Sequence, residues 1–196
     1  MGVLTKDFKL KKMAEPVREM MRKFSDDITG YCYTVNTSSI FAGAQFSASD
    51  LKDYEGFDIK LLGFASYAVE PSEAKFILDF GSDRVVDKVV DEYEDATWMK
   101  LDVSDLGLKI PKNTDVTVGY GIKGWLSESK GGWDYPLAID DGPHVDGGNM
   151  LATYNKKDWE DIDASSGIDN NLLVYMVVEG VVGGEKSLFY LLGFNT

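Results

Sequence analysis

The feature that most constrains this chain is a series of short runs in which apolar residues recur at every second position. A period of two sends successive side chains to opposite faces of an extended strand, whereas a helix face needs spacings of three and four. "KFILDF" places Phe76, Leu78 and Phe80 on one face and Lys75, Ile77 and Asp79 on the other. "DVTVGYGI" aligns Val116, Val118, Tyr120 and Ile122, and "WMKLDV" aligns Met99, Leu101 and Val103. "NLLVYMVVEG" is apolar on both faces, the pattern of a central strand covered on each side. Turn chemistry separates these runs: "GSD", "SDLG", "PKN", "KGG", "DDGP" and "SSGIDNN". Strands are expected near residues 60–69, 75–80, 84–92, 97–103, 115–123 and 171–179. One helical turn is expected in "SASDLKDY", with Ser47 or Ser49 capping Asp50–Tyr54. Many short strands with almost no helical pattern between them point to an all-β chain, an antiparallel sandwich or barrel.

A chain of 196 residues suggests one domain, large enough to bury a core without disulfides or metals as staples. The formal net charge of −13 repels phosphate backbones, which argues against nucleic acid as a partner. The single cysteine, Cys32, cannot form an internal disulfide. No run of 18 apolar residues exists, so no transmembrane helix is expected. No apolar signal-peptide core opens the chain either, and a leader removed before Met1-Gly2 is the expectation that accompanies export.

The charge is unevenly spread. Residues 1–24 carry seven Lys/Arg against three Asp/Glu, while the remainder carries thirteen against thirty. In this basic segment Leu10, Met13, Val17, Met20 and Phe24 recur at helical spacing, interrupted by Pro16. The organisation expected is therefore a basic tail or linker, helical or irregular, over residues 1–30, followed by a β-domain over 31–196. A tail lying on the acidic body and a basic amphipathic membrane-surface helix are the two readings of that segment.

No catalytic signature survives inspection. "GYGIKG" (Gly119, Gly121, Gly124) fits G-x-G-x-x-G, but "WLSESKGGWDYP" follows, and that stretch cannot form the helix a dinucleotide site needs. Glycines that let a strand twist or pack closely explain the motif better. His144 follows Pro143 in a turn, and no G-x-S-x-G elbow accompanies it. Cys32 in "YCYTV" has no activating cation beside it in sequence. With 33 acidic residues a carboxylate-dependent hydrolase stays a distant third reading, since nothing singles out a pair.

The order of motifs resembles a known family. "QFSASDLKDYEGFDIKLLGF" is similar to the pattern "F-x-P-x-x-L-x-x-Y-x-G-x-x-I-x-x-V-x-F" of cleaved-adhesin-type β-sandwich modules, with Phe46, Leu51, Tyr54, Gly56, Ile59 and Phe64 at the matching positions. "TWMKLDV", "DVTVGYGI", "YPLAIDDGP…DGGN", "KKDWEDI" and "NNLLVYMVVEG" look like that module's later segments in its order. The likeness runs from about Tyr31 to Gly180. Such modules occur in secreted and surface proteins of anaerobic Gram-negative bacteria, including the adhesin regions of gingipain-type proteases. The resemblance implies a jelly-roll sandwich, export to the surface or medium, and a non-catalytic role. That role is adhesion to a glycan or cell-surface protein, or that of a structural spacer with no ligand of its own. Residues 181–196 lie beyond the match, as a last strand of this domain or the edge of a neighbour.

Two segments are candidate sites. "YPLAIDDGPHVDGGNM" gathers three aspartates, the histidine, two prolines and three glycines into residues 135–150. An Asp-Asp-Gly-Pro turn that caps its own backbone is one reading. Structural calcium held by Asp140, Asp141 and Asp146 is the other, since hard cations take several oxygens and related modules bind calcium. Just before it, Trp125, Trp133 and Tyr135 fall in a glycine-rich connection and are the expected ligand-contacting aromatics. The competing reading folds the tryptophans onto the sheet.

Overall fold

The computed structural model describes residues 15–25, 31–33, 38–126, 136–153, 158–162 and 170–181, with side chains at all of these except 31–33 and 153. Among the described residues the twelve strands are β1 (Val17–Arg22), β2 (Tyr31–Tyr33), β3 (Ser39–Phe46), β4 (Asp58–Phe64), β5 (Glu73–Phe80), β6 (Asp83–Val89), β7 (Met99–Asp102), β8 (Val116–Lys123), β9 (Leu137–Ile139), β10 (Met150–Thr153), β11 (Glu160–Asp161) and β12 (Val174–Gly180). One sheet has the order β1-β12-β4-β7 and the other β11-β10-β3-β8-β5-β6, with β2 and β9 paired separately. Every pairing is antiparallel. The chain crosses from one large sheet to the other between β3 and β4, β4 and β5, β6 and β7, and β7 and β8. This is the all-β antiparallel sandwich expected.

The period-two runs do what their alternation requires. Phe76 and Leu78 of β5, Val116, Val118, Tyr120 and Ile122 of β8, and Ile40, Ala42, Ala44 and Phe46 of β3 point inward. They meet Ile59, Leu62 and Phe64 of β4 and Val174, Met176 and Val178 of β12 in one core. Phe64 stacks on Tyr120 across the two sheets, ring centres 4.5 Å apart. Strand β12 is covered on both faces, since Leu173, Tyr175 and Val177 belong to a second cluster on its outer side. The expected turn at Ser47 is present as a reciprocal cap. Asp50 N–H donates to Ser47 Oγ at 3.2 Å, and Ser47 N–H donates to Asp50 Oδ2 at 3.1 Å. A short 3-10 turn at Lys52–Tyr54 follows it.

The N-terminal segment departs from expectation. Val17–Arg22 is a strand, β1, not half of an amphipathic helix, and its six residues pair with Tyr175–Gly180. The boundary expected at residues 30 and 31 therefore has strand on both sides. Three forces override the helical spacing. Pro16 has no N–H for a helix to use, β12 offers a free edge, and Arg18, Glu19 and Arg22 suit an exposed edge strand. Met21 packs against the main core, Lys23 bonds to Asp50 at 2.9 Å, and Phe24 is buried among the outer cluster. Residues Leu10 and Met13 lie outside the described residues.

Two predictions follow from this packing. Deleting residues 17–24 strips β12 of its partner and removes Phe24, so the melting temperature should fall by more than about 10 °C; an unchanged melt would show β1 to be dispensable. The second concerns alkali. Burial of Tyr93 pushes its hydroxyl from an ordinary value near 10 up to about 12, and the fold holds it neutral, facing Ser66 O at 3.4 Å. A raised folded value means the contribution is complete below pH 10 and is lost as pH rises through about 12. Melting temperature should drop across that window, and Tyr93→Phe should make the drop shallower.

Candidate functional site

Of the three aspartates in the 140–146 loop, one is structural. Asp140 is buried, and its carboxylate is filled with protein donors. Ser25 N–H donates to Oδ2 at 2.7 Å, Asn171 N–H to Oδ1 at 2.6 Å, and the Asn171 amide to Oδ2 at 3.0 Å. Asn171 spends its remaining capacity on the same loop, accepting from Val145 N–H at 2.7 Å and donating to Pro143 O at 2.9 Å. Asn170 adds a bond to Asp140 O at 3.0 Å. A carboxylate is the only side chain short enough to reach and charged enough to hold several N–H donors away from water.

The glycines belong to the same arrangement. A side chain at Gly148 would overlap Asn171 Oδ1, and one at Gly142 would meet Asp140 Oδ2 and Ser25 at 3.0 Å. Gly147 sits at φ +73°, where side chains are strained, with Gln45 O against it. Asp161 is a further tie: Gly147 N–H donates to its Oδ2 at 2.7 Å, while His144 Nε2 lies 3.3 Å from its Oδ1. One loop is thus anchored to the end of β1, to β11 and to the start of β12. Asp141 and Asp146 point outward and are exposed. Among the described residues, no three His, Cys, Asp or Glu side chains converge to hold a metal ion.

The expected aromatic platform is divided. Trp125 is half-buried and packs against the main core, while Trp133 and Tyr135 lie outside the described residues. Gly119 and Gly121 stay within β8, and Gly124 turns at φ +65° beside Ser72, with no helix in the described residues that follow. Their role is close packing. A side chain at Gly121 would stand 2.5 Å from the Phe41 ring.

A different aromatic cluster lies on the outside of the four-stranded sheet. Tyr175 of β12 lies over Gly63 of β4, where any side chain would overlap its ring. Trp98 leans on Tyr175 at 5.2 Å between ring centres and on Phe24 at 5.6 Å, and the Arg22 guanidinium stands 5.1 Å over Phe24. Phe24 and Tyr175 are buried, whereas Trp98 is half-buried and forms the open edge of the ledge. Burial raises the Tyr175 hydroxyl above its ordinary value. The signal for Trp98 was present in "WMKLDV": its parity opposes Met99, Leu101 and Val103, so a large ring shares the outward face with Lys100 and Asp102.

Asp140→Ala leaves three N–H donors without their acceptor and should cost about 3 kcal/mol, a fall of about 10 °C in melting temperature. Millimolar calcium should leave the wild-type melt unmoved, because the Asp140 oxygens are already taken; a rise would show that the loop takes a cation. In comparisons with known proteins, no family model, no curated protein and no solved structure matches this chain.

Proposed function

We propose that this chain is a non-catalytic binding module of an exported or cell-surface protein, with a glycan or a surface protein as its ligand. The observation that carries this reading is the ledge of Trp98 with Phe24 and Tyr175 on the outside of a rigid sheet. Aromatic rings held in place lose little freedom on binding; Phe24 and Tyr175 are buried supports, Trp98 offers the accessible ring face, and the exposed Arg22 stands beside it over Phe24. The resemblance in motif order to cleaved-adhesin-type modules supports the same class and, with it, export. No helix among the described residues is long and apolar enough to cross a membrane.

A structural spacer with no ligand is the second reading. It is favoured by the loop around Asp140, whose buried carboxylate is committed to joining strands rather than to meeting a ligand. The two readings separate at Trp98. Trp98→Ala should keep a cooperative melt, lowered by about 5 °C for a half-buried ring, and should abolish wild-type signals on glycan and surface-protein arrays. Signals that persist in the variant would remove the ledge from the site. A wild-type protein silent on every array would leave the spacer reading standing.

A further inference from the structure

Where a sheet ends, one side of its last strand has unpaired backbone groups, and such an edge invites a further strand unless the sequence blocks it. Among the described residues, β1 and β7 end one large sheet and β6 and β11 the other. Three of these edges suit no second copy of themselves. In β1, Arg18 and Arg22 share one face and Glu19 takes the other, so no register sets acid opposite base. Strand β11 carries only acids, Glu160 and Asp161, behind a tryptophan, Trp159, that stacks on Phe41. Strand β6 is bulged, and its Arg84 and Asp87 are already paired with Asp79 at 2.9 Å and Lys75 at 3.0 Å.

Strand β7 differs in charge and in backbone. Lys100 and Asp102 are exposed, while Met99 and Leu101 pack against the main core from the opposite face. Neither charge has an ion-pair partner among the described residues. Asp102 accepts from Ser104 N–H at 2.8 Å within its own turn, and Lys60 of β4 is paired with Asp58 at 3.2 Å. The backbone direction follows from one bond, Val103 N–H to Lys60 O at 3.0 Å. Because amides alternate in direction along a strand, Met99 and Leu101 bond toward β4. The N–H and C=O groups of Lys100 and Asp102 then face the open edge. Beside that edge the two sheets part around a cleft of about 480 Å³ whose lining includes Phe76, Met99 and Leu101. Val89, also in that lining, is 51% exposed.

We propose that β7 pairs antiparallel with β7 of a second copy of this chain, centred on Leu101. Such pairing runs about a two-fold axis normal to the sheet, so outward residues meet outward residues. Centred on Leu101, Lys100 of each copy lies opposite Asp102 of the other, and the two Leu101 side chains meet on the cleft side. Centring on Lys100 or on Asp102 would set like charges against each other. The same register places the outward amides of Lys100 and Asp102 against their counterparts, joining the two four-stranded sheets into one. Backbone bonds and cover for the cleft supply the affinity, and the charges set the register. A lone edge lysine would repel a second copy, but here an acid two residues on makes the edge self-complementary. Once two copies meet, neither has β7 free, so assembly stops at the dimer.

Sedimentation equilibrium of the full chain in about 50 mM salt tests this, with a cooperative melt as the check on folding of each variant. The wild type should pass from monomer to twice the monomer mass as its concentration rises toward about 1 mM. Lys100→Asp, at an exposed position without an ion pair to lose, sets acid against acid and should raise the dissociation constant at least about tenfold. Lys100→Asp combined with Asp102→Lys exchanges the charges and should restore the dimer. A wild type that stays monomeric at about 1 mM overturns the proposal. So does a dimer that Lys100→Asp leaves unchanged, or a folded double variant that stays monomeric. Should the double variant not fold, Lys100→Pro decides, because it removes one outward N–H and leaves the bonds to β4 in place. It should sediment as a monomer, and a Lys100→Pro dimer overturns the proposal.

Discussion

A single buried carboxylate holds the two ends of this fold together. Asp140 accepts from Ser25, which follows β1, and from Asn171, which leads into β12, the two strands that pair to complete the four-stranded sheet. Desolvating a carboxylate costs several kcal/mol unless hydrogen bonds replace its water, and short charge-assisted bonds are the strongest replacement available. The cost sets the local sequence. Three glycines remove side chains from the approach, and two asparagines turn the backbone and donate at once. The other aspartates of the stretch are left to solvent.

Much of the architecture was legible because burial imposes a parity on a strand. The runs around Phe76, Val118 and Met176 state which face is inward, and "NLLVYMVVEG" states that both faces are. What was not legible has long-range causes. Val17–Arg22 carries a helical spacing, and only the distant edge of β12 makes it a strand. Nor does the sequence say which of Asp140, Asp141 and Asp146 turns inward, because that depends on amides contributed by residues 25 and 171. Trp125 sits in a polar, glycine-rich stretch yet packs on the core, while Trp98 sits in an ordinary strand run and opens a surface ledge.

One packing rule recurs on the two outer faces. A ring is laid over a strand position that has no side chain: Tyr175 over Gly63 on one sheet, Phe41 over Gly121 on the other. Each pairing brings aromatic carbon against backbone and lets a further ring, Trp98 or Trp159, lean on the first. The glycines that look like a phosphate-binding motif are therefore part of the means by which a two-layer sandwich acquires covered outer faces. The charge pattern fits the same picture, since cations from an acidic chain are drawn to rings and buried acids: Arg22 over Phe24, Arg84 over Phe41 and beside Asp79.

The register of β1 on β12 carries a geometric consequence for any chain in which this sandwich is one of several units. Val17 pairs with Gly180, whereas Arg22 pairs with Tyr175 near the Asp140 loop. The first and last described strands therefore start and stop at one pole, and the polar loop closes the opposite one. Neighbours attached before Val17 and after Gly180 would both be tethered at the first pole. The sandwich would then project sideways from the main line of the chain like a pendant, presenting both outer sheet faces, rather than stand in series as a link bearing tension from end to end.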